Sequence, residues 1–379
     1  MRNPPLSLYI HIPWCVQKCP YCDFNSHGLK SALPEQEYVS HLLSDLQHDE
    51  AYVTNREITS IFIGGGTPSL FSADAIAKLL AGVKNCMAVS PSAEITLEAN
   101  PGTLESARFN GYAEAGVNRI SMGVQSFQNN HLTQLGRIHD AQQARDAILQ
   151  AKEAPLNSFN IDLMHGLPKQ SLDNALADLT TAIQQSPAHL SWYQLTIEPN
   201  TPFYSKPPVL PDDDTLWDIQ ARGHALLEDA GYKQYEISGY SKPGYQCQHN
   251  LNYWRFGDYL GIGCGAHGKI TDAHNGRITR TVKVKHPRGY MDMTRPYMDK
   301  SYEVERDDLA FEFFMNRFRL VEPCPKSDFF DYTGTTLTPP QRSALNRAID
   351  QGLLEENNDE WQVTPLGRRY LNSLLSAFV

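Results

Sequence analysis

Short apolar runs alternate with helix-length amphipathic segments from the N-terminus to about residue 240. The runs are rich in Ile, Val, Leu, Phe and Tyr and end in Gly, Pro, Asn or another polar residue, which is typical of β-strands. Six strand–helix units in succession predict parallel strands joined by right-handed crossovers. The predicted strands are Leu6–Ile12, Thr59–Ile63, Glu94–Glu98, Asn118–Val124, Ser158–Met164 and Leu190–Ile197. The predicted helices are Pro34–Tyr52, Asp74–Cys86, Leu104–Ala115, Ala141–Glu153, Leu172–Gln185 and Leu216–Ala230.

This α/β pattern is compatible with a closed barrel, a partly open barrel or a doubly wound sheet. In each of these architectures, ligands bind at the carboxyl ends of the parallel strands. Most of the motifs described below fall at or near such an end, which favours a barrel-like arrangement.

The alternation stops near residue 240, and the sequence predicts three parts. Residues 1–240 form the α/β core, residues 241–302 a Gly- and aromatic-rich segment, and residues 303–379 a smaller α+β domain. Helix and strand signals in the last part predict a winged-helix-like fold. Its predicted elements are a helix over Thr338–Gly352, a strand pair at Leu353–Glu355 and Trp361–Val363, and a helix over Pro365–Phe378.

Composition narrows the class of partner. The chain has 33 basic and 43 acidic residues and a formal net charge of −10, without the basic excess that phosphate binding requires. We therefore expect no nucleic-acid partner. No apolar run approaches the ~20 residues of a transmembrane helix, and the N-terminus lacks the features of a signal peptide. Seven cysteines, an odd number, fit a reducing compartment, so we expect a cytoplasmic protein without a transmembrane segment.

Cys15, Cys19 and Cys22 form a C-x3-C-x2-C motif directly after the first predicted strand. Thiolates are the preferred ligands of iron–sulfur clusters, and a loop allows three of them to converge on one cubane. Three protein ligands leave one iron open, which chemistry at a cluster requires. A zinc site normally adds a second Cys/His pair downstream, and only His27 lies close by. The motif therefore predicts a [4Fe–4S] cluster.

This spacing, on the loop after the first strand of a βα series, resembles the signature of the radical S-adenosylmethionine (SAM) superfamily. The resemblance implies that the open iron binds the amino and carboxylate groups of SAM. It also implies that the protein holds this cofactor in place and excludes water.

Further polar residues at strand ends are candidates for holding the cofactor. Gly64–Thr67 follows the second strand, where the absence of side chains lets the backbone approach a ligand. Glu98 closes the third strand, Gln125 ends the fourth, and Arg137 follows twelve residues later. Asp162 lies inside the fifth strand. Because a buried charge is costly unless it is paired, we expect Asp162 to meet an Arg or a ligand.

The chain resembles the coproporphyrinogen oxidase-like group of radical SAM proteins, meaning HemN and its relatives. The resemblance is carried by Tyr9–Cys15, the Gly-Gly-Gly-Thr-Pro-Ser run, Gly123–Phe127, Asn160–Pro168 and the final helical domain, and it covers nearly the whole chain. It implies a partial (β/α)6 barrel with a smaller C-terminal winged-helix-like domain. The positions that it implies for SAM binding are Tyr9, Gly65, Gly66, Thr67, Glu98, Gln125, Arg137 and Asp162, with Thr196 as a looser candidate.

The group contains both enzymes and haem carriers. Oxygen-independent coproporphyrinogen dehydrogenases carry an additional cysteine two residues after the third, where this chain has Phe24. Only eight residues precede Tyr9, which leaves little room for a segment covering a second cofactor. Both departures favour the HemW haem chaperones. Oxidative decarboxylation of coproporphyrinogen III is the alternative, and a purely structural cluster in an interaction protein is a third hypothesis.

A later segment, His249-Asn-Leu-Asn-Tyr253-Trp254, also resembles the HemW chaperones, and the resemblance implies a part in haem binding. A neutral imidazole is a good axial ligand of haem iron, and Tyr253 and Trp254 could stack on the macrocycle. The alternative is that His249 caps a turn and the aromatic residues belong to the core. His267 is a second ligand candidate, and the basic stretch Lys283–Arg288 could meet haem propionates.

The expected partners are therefore haem and apo-haemoproteins, including respiratory enzymes of the membrane. The sequence leaves open whether the chain forms a homodimer and whether it uses radical chemistry.

Overall fold

The structure, a computed structural model, describes residues 1–103 and 106–378. Its strands are β1 (Leu6–Ile12), β2 (Trp14–Cys15), β3 (His27–Gly28), β4 (Ile58–Gly65), β5 (Val89–Ala99), β6 (Arg119–Gln125), β7 (Ser158–His165), β8 (His189–Gln194), β9 (Lys233–Gln234), β10 (Gly239–Ser241), β11 (Asp258–Ile262), β12 (His267–Asp272), β13 (Arg277–Lys283), β14 (Met298–Glu303), β15 (Cys324–Pro325), β16 (Leu354–Glu356) and β17 (Glu360–Val363).

The α-helices are α1 (Glu35–Asp49), α2 (Ala73–Cys86), α3 (Ser106–Glu114), α4 (Asn129–Gln134), α5 (Ala141–Glu153), α6 (Leu172–Gln184), α7 (Pro202–Ser205), α8 (Asp213–Asp229), α9 (Gln248–Trp254), α10 (Pro287–Tyr290), α11 (Leu309–Arg317), α12 (Lys326–Thr333), α13 (Pro339–Asp350), α14 (Pro365–Arg369) and α15 (Leu371–Ser376). The predicted start of the third helix, Leu104, lies outside the described residues.

Six parallel strands form the centre of the largest sheet, in the spatial order β1-β4-β5-β6-β7-β8. They are the six strands that the sequence predicts, and each neighbour in space is also the next of the six along the chain. This curved arrangement confirms the partial (β/α)6 barrel and excludes the doubly wound order, in which the strand sequence reverses at the middle of the sheet.

Side chains alternate along these strands between the helix-facing side and the barrel interior. On β1, Leu8 and Ile10 are fully buried in the main hydrophobic core, whereas Tyr9 and His11 face a cavity. On β6, Ile120 and Met122 join the core, whereas every second residue from Arg119 to Gln125 faces the interior. The interior of the barrel is therefore polar, and its helix-facing side is apolar.

Residues 258–303 extend the same sheet beyond the predicted six strands. β11 pairs with β1 in parallel, and β12, β13 and β14 continue from it as antiparallel strands. On the opposite edge, β10 and β9 pair antiparallel to β8. β1 therefore lies between β4 and β11, in the middle of the sheet. The three-part division of the chain stays a prediction.

The C-terminal part has its own hydrophobic core, built around Phe313, Phe314 and Trp361. A small antiparallel sheet, β15-β17-β16, provides the predicted wing. Thr338 begins α13 with a capping box, because its side chain accepts from the backbone N–H of Gln341.

The prediction of a single last helix over Pro365–Phe378 is wrong. The chain forms α14 and α15 instead, with a break at Tyr370. After the break, Leu371, Leu374 and Leu375 are buried in the C-terminal core.

Candidate functional site

The three cysteines of the motif face one cavity of about 430 Å³ at the carboxyl end of the barrel. Short parallel pairing of β2 with β3 brings Trp14 beside His27 and folds the intervening loop over the cavity. Cys15, Cys19 and Cys22 are free thiols and partly buried. The three predicted ligands thus lie on one short segment and line the same cavity.

The protein alone disfavours the thiolate form in this loop. Burial raises the pKa of Cys15 and of Cys22, and the neighbouring cysteines add to the effect. Iron offsets this cost, because a coordinating thiol loses its proton to the metal. No three His, Cys, Asp or Glu side chains of residues 1–103 and 106–378 surround a single ion. A cubane differs from a single-ion site, because each thiolate binds a different iron.

The glycine run packs against the cluster loop through its backbone. Gly66 donates its N–H to the carbonyl of Ile12 at 2.7 Å, and Thr67 donates to the carbonyl of Trp14 at 2.7 Å. A Cβ on Gly66 would lie 2.5 Å from the Trp14 carbonyl oxygen, so no other residue fits. Gly65 has φ +113°, which also favours glycine. The cradle predicted from the sequence is therefore present and cannot accept side chains.

Glu98, Gln125, Arg137 and Asp162 line the same cavity, together with Gly65, Gly66 and Thr67. The Glu98 carboxylate accepts the Gly65 N–H at 3.0 Å, and burial and then the Asp162 charge raise the pKa of Glu98 to about 8. A carboxyl group held in this way gains most from a cationic ligand, which restores the charged form.

Arg137 connects the cluster loop with β6. Its Nη1 lies 3.5 Å from the Cys19 sulfur and its Nη2 donates to the Gly123 carbonyl at 2.7 Å, while its buried Nε has no partner among the described residues. Gln125 has φ +68° and its Oε1 accepts from the Tyr193 hydroxyl at 2.8 Å. Both side chains are therefore held at the rim of the cavity.

Asp162 meets polar groups rather than a directly paired Arg. Its carboxylate accepts from Asn160 Nδ2 at 2.7 Å and from Ser121 Oγ at 3.3 Å. Burial raises the pKa of Asp162, and these hydrogen bonds and the nearby Arg119 charge oppose that shift.

Sequence reasoning missed several lining residues that the structure adds to this cavity. The two-residue period of β-strands could have identified them in the sequence. Each lies two positions from a predicted site residue or from another lining residue, and so faces the same side of its strand. They include Arg119, Ser121, Asn160, Ser191 and Tyr193.

A second cavity, of about 940 Å³, adjoins the first. Its wall is rich in aromatic side chains, and Lys18 and Lys285 also line it. The aromatic lining residues are Tyr9, Phe24, Phe62, Tyr253, Trp254 and Tyr259. The residues that line both cavities are Phe24, Ser26, Phe62, Gly65, Glu98, Ser238 and Asn250. The two cavities therefore share one wall.

Two residues of the predicted SAM set lie apart from the first cavity. Tyr9 lines the second cavity, where its hydroxyl meets His11 Nδ1 at 3.0 Å. Thr196 follows the end of β8, is exposed and lines neither cavity. The other predicted positions are brought together as expected.

The H-N-x-x-Y-W segment forms α9, which places His249, Tyr253 and Trp254 on the wall of the second cavity. His249 is buried, its ring centroid lies 5.1 Å from that of Phe62, and its Nδ1 lies 3.2 Å from Ser60 Oγ. Burial, with help from the Arg119 charge, lowers the pKa of His249 to about 3. The imidazole is therefore neutral at physiological pH, as a metal ligand must be.

The other candidates around this cavity differ in accessibility. His11 has both ring nitrogens occupied, by Tyr9 and by the Asn25 carbonyl at 2.8 Å. His267, at the start of β12, is exposed and lines the cavity. Of the basic stretch, Lys285 lines the cavity, but Lys283 is buried and ion-paired with Asp45 at 2.6 Å, so it cannot meet a propionate.

Comparison with known proteins identifies the class of this fold and site. The Radical SAM superfamily matches residues 9–179, and the HemN C-terminal domain matches residues 304–370. The solved structure of coproporphyrinogen III oxidase (HemN) from Escherichia coli shares the fold with a TM-score of 0.84 and 22% identity, covering 99% of this chain and 90% of that one. The chain is a radical SAM protein, and this class implies a [4Fe–4S] cluster and SAM.

The more specific family follows from closer relatives. Heme chaperone HemW from Escherichia coli (strain K12) is 61% identical over 379 residues, covering 100% of this chain and 99% of the relative. Heme chaperone HemW from Bacillus subtilis (strain 168) is 32% identical, covering 98% of this chain and 99% of the relative. The chain belongs to the HemW family of heme chaperones. Within the part of the chain that the structure describes, no helix is both long and apolar enough to cross a membrane.

Proposed function

We propose that this protein binds haem in the second cavity and transfers it to apo-haemoproteins, including respiratory enzymes of the membrane. The observation that carries this proposal is the second cavity itself, which has an aromatic wall, imidazoles in its lining and a boundary shared with the cluster cavity. Its volume, about 940 Å³, lies near the upper end of the range of typical ligand sites. The names of the relatives agree with this ligand.

The first cavity fits the cluster and SAM. Cys15, Cys19 and Cys22 would bind the cluster, and the Gly65–Thr67 backbone with Glu98 would hold the cationic methionine part of SAM. Gln125, Arg137 and Asp162 would orient the rest of the cofactor. When bound, the cluster and SAM together supply a 5′-deoxyadenosyl radical. Tyr9 lies behind the shared wall, with its ring centroid 6.4 Å from that of Phe62, and we no longer expect a contact from Thr196.

Haem would lie against the wall formed by α9. Tyr253 and Trp254 offer ring surface to a flat macrocycle, and His249 offers a neutral imidazole. His267 is the exposed imidazole at the same cavity, and Lys18 and Lys285 could pair with propionates.

The alternative function is oxidation of coproporphyrinogen III. The residue that stands against it, Phe24, is 60% exposed and lines both cavities, where the enzymes resembled in sequence have a cysteine. A thiol at this position is therefore replaced by an apolar ring at the boundary between the two ligand sites.

One anaerobic experiment separates the two functions. Cluster-reconstituted protein is incubated with coproporphyrinogen III, SAM and a reductant, and the products are separated by chromatography. A parallel sample is titrated with haem and then mixed with an apo-cytochrome. We expect saturable haem binding, haem appearing in the cytochrome and no protoporphyrinogen. Protoporphyrinogen formed over many turnovers, or haem that never leaves the protein, would contradict the carrier function.

A further inference from the structure

A chain of buried hydrogen bonds runs through the barrel from the first cavity to α9. It begins at Asp162, whose carboxylate accepts from Asn160 Nδ2 at 2.7 Å. The Asn160 side-chain oxygen lies 2.7 Å from His189 Nδ1, and His189 Nε2 lies 2.7 Å from the Tyr235 hydroxyl. The Tyr235 oxygen accepts the backbone N–H of Cys247 at 3.2 Å, and Cys247 is the residue that precedes α9.

The two end groups, the Asp162 carboxylate and the Cys247 N–H, determine which atom donates in every hydrogen bond of this series. A carboxylate only accepts, so Asn160 must donate through Nδ2 and present its oxygen to His189. His189 must then donate through Nδ1, and because the ring is neutral, its Nε2 accepts from the Tyr235 hydroxyl. Burial and the Arg119 charge hold the pKa of His189 far below its usual value, which agrees with the neutral tautomer.

All the members between the two ends are shielded from water. Asn160 and His189 are 1% exposed, and Tyr235 is 8% exposed. Hydrogen bonds in such a low-dielectric interior are strong, and a chain with a single donor direction polarises each bond through the next. An amide or a ring that loses its partner here has no water to replace it.

We propose that His189 and Tyr235 are positioning residues for Asp162, and that through them the haem-binding helix α9 and the SAM site act on each other. The proposal rests on the proposed function, in which Asp162 holds SAM and α9 holds haem. Tyr235 orients the His189 ring, His189 orients the Asn160 amide, and the amide fixes the carboxylate at the cavity rim. A displacement of the start of α9 breaks the hydrogen bond from the Cys247 N–H to the Tyr235 oxygen. The change then passes through His189 and Asn160 to the position of the Asp162 carboxylate.

The effect of this chain of hydrogen bonds on SAM binding is measurable without turnover. The reduced cluster changes its electron paramagnetic resonance spectrum when SAM binds, and this change, titrated on reconstituted protein, gives the Kd for SAM. We expect Tyr235→Phe, which keeps the ring and removes the hydroxyl, to weaken SAM binding about tenfold, as is common when a residue behind a ligand contact is lost. His189→Leu should weaken it at least as much. His189→Asn should recover part of the loss, because its amide N–H can replace the Nδ1 donor.

The matched control is Tyr232→Phe. The Tyr232 hydroxyl is also in a buried hydrogen bond, to the Pro187 carbonyl at 2.6 Å, but it lies outside the chain. We expect this variant to lose stability to a similar degree and to keep the wild-type Kd for SAM. In the wild type, saturating haem should shift the Kd for SAM, and the shift should shrink in Tyr235→Phe.

The outcomes are distinguishable. If Asp162→Asn weakens SAM binding but Tyr235→Phe and His189→Leu do not, the positioning role is overturned and the site assignment stands. If Asp162→Asn itself has no effect, both the positioning role and the assignment of Asp162 fail. If haem does not bind to the wild type, the proposed carrier function fails, while the titrations with SAM still decide the positioning role.

Discussion

The Glu94 carboxylate accepts the backbone N–H of Gln248 at 2.8 Å, across the interior of the barrel. The same oxygen lies 3.3 Å from the backbone nitrogen of His249 and 3.4 Å from the Cys247 sulfur. The N–H groups of the first turn of a helix have no partner within that helix. Glu94 therefore supplies a charged acceptor, from a strand of the barrel wall, to the helix that carries the H-N-x-x-Y-W segment.

Glu94→Gln should weaken the hydrogen bonds at the start of α9 without creating a cavity. The amide keeps an acceptor but loses the negative charge, and we expect the free energy of unfolding to fall by about 1 kcal/mol. Haem affinity should fall as well, because the helix becomes less ordered before binding. Urea unfolding and haem titration check the two effects. Glu153→Gln, at the exposed end of α5, is the control and should change neither; equal losses in both variants would show that the effect is not specific to α9.

Cys19→Ser should abolish the iron–sulfur cluster. A serine in place of one of three thiolates leaves two irons open, and we expect reconstituted protein to lose most of its iron, its visible absorbance and its response to SAM. Cys86→Ser is the matched control, because Cys86 is a free, partly exposed cysteine at the end of α2. Iron retained at wild-type level in Cys19→Ser would remove Cys19 from the ligand set.

His249→Ala and His267→Ala distinguish two of the imidazoles that line the second cavity. Loss of the axial ligand should shift the haem absorption spectrum and weaken binding at least tenfold, and added imidazole should restore the spectrum. We expect this behaviour from His249→Ala, because its neutral ring is held in the wall by Ser60. His274→Ala, in the exposed turn between β12 and β13, should leave the spectrum unchanged. An unaltered spectrum for His249→Ala with a shifted one for His267→Ala would transfer the ligand role to His267.

The contribution of His165 to stability should fall when the pH drops below about 6.5. His165 is buried, its ring centroid lies 4.3 Å from that of Trp192, and burial lowers its pKa to about 4. Between pH 6.5 and 4 the His165 imidazole is protonated in the unfolded chain and neutral in the folded chain. This group therefore lowers the free energy of unfolding as the pH falls through this window. Below pH 4 both states are protonated, and the loss is complete at about 3 kcal/mol for this group.

His165→Phe isolates this contribution, because the ring stays against Trp192 and no longer titrates. Urea unfolding at pH 7.5, 6 and 5 should show a shallower dependence on pH in the variant, by close to one proton. His274→Ala removes an exposed histidine and should keep the wild-type slope. A slope that does not change in His165→Phe would mean that other groups cause the acid sensitivity.

Local patterns predicted the fold well, and they placed the three cysteines on one loop. The six parallel strands were visible because each is a short apolar run with a clear stop, and the order in space follows the order in sequence. The three cysteines and the glycine run were visible because the chemistry needs them within a few residues of one another. Prediction failed at Tyr370, where the last helix breaks and the residues after it, beginning with Leu371, pack into a core formed with distant parts of the chain.

The polar interior could not be predicted in the same way. Arg119, Asn160 and His189 each look unremarkable in the sequence, because their partners lie on other strands. Only the pairing of β6, β7 and β8 brings them together, and the sequence of a single strand does not determine the register of the sheet. The same holds for Glu94, whose partner at Gln248 lies far along the chain.

The central place of β1 in the sheet has a consequence for synthesis on the ribosome. β1 is the first strand to emerge, but β11, its parallel partner at Asp258–Ile262, follows about 250 residues later. At the usual ~5–20 residues per second, one side of β1 waits roughly 10–50 s for its neighbour. During that interval the nascent barrel is open along the strand that leads into Cys15, and the second cavity lacks the wall that β11 and β12 provide. The loop of Cys15, Cys19 and Cys22 is therefore complete before the wall of the second cavity is.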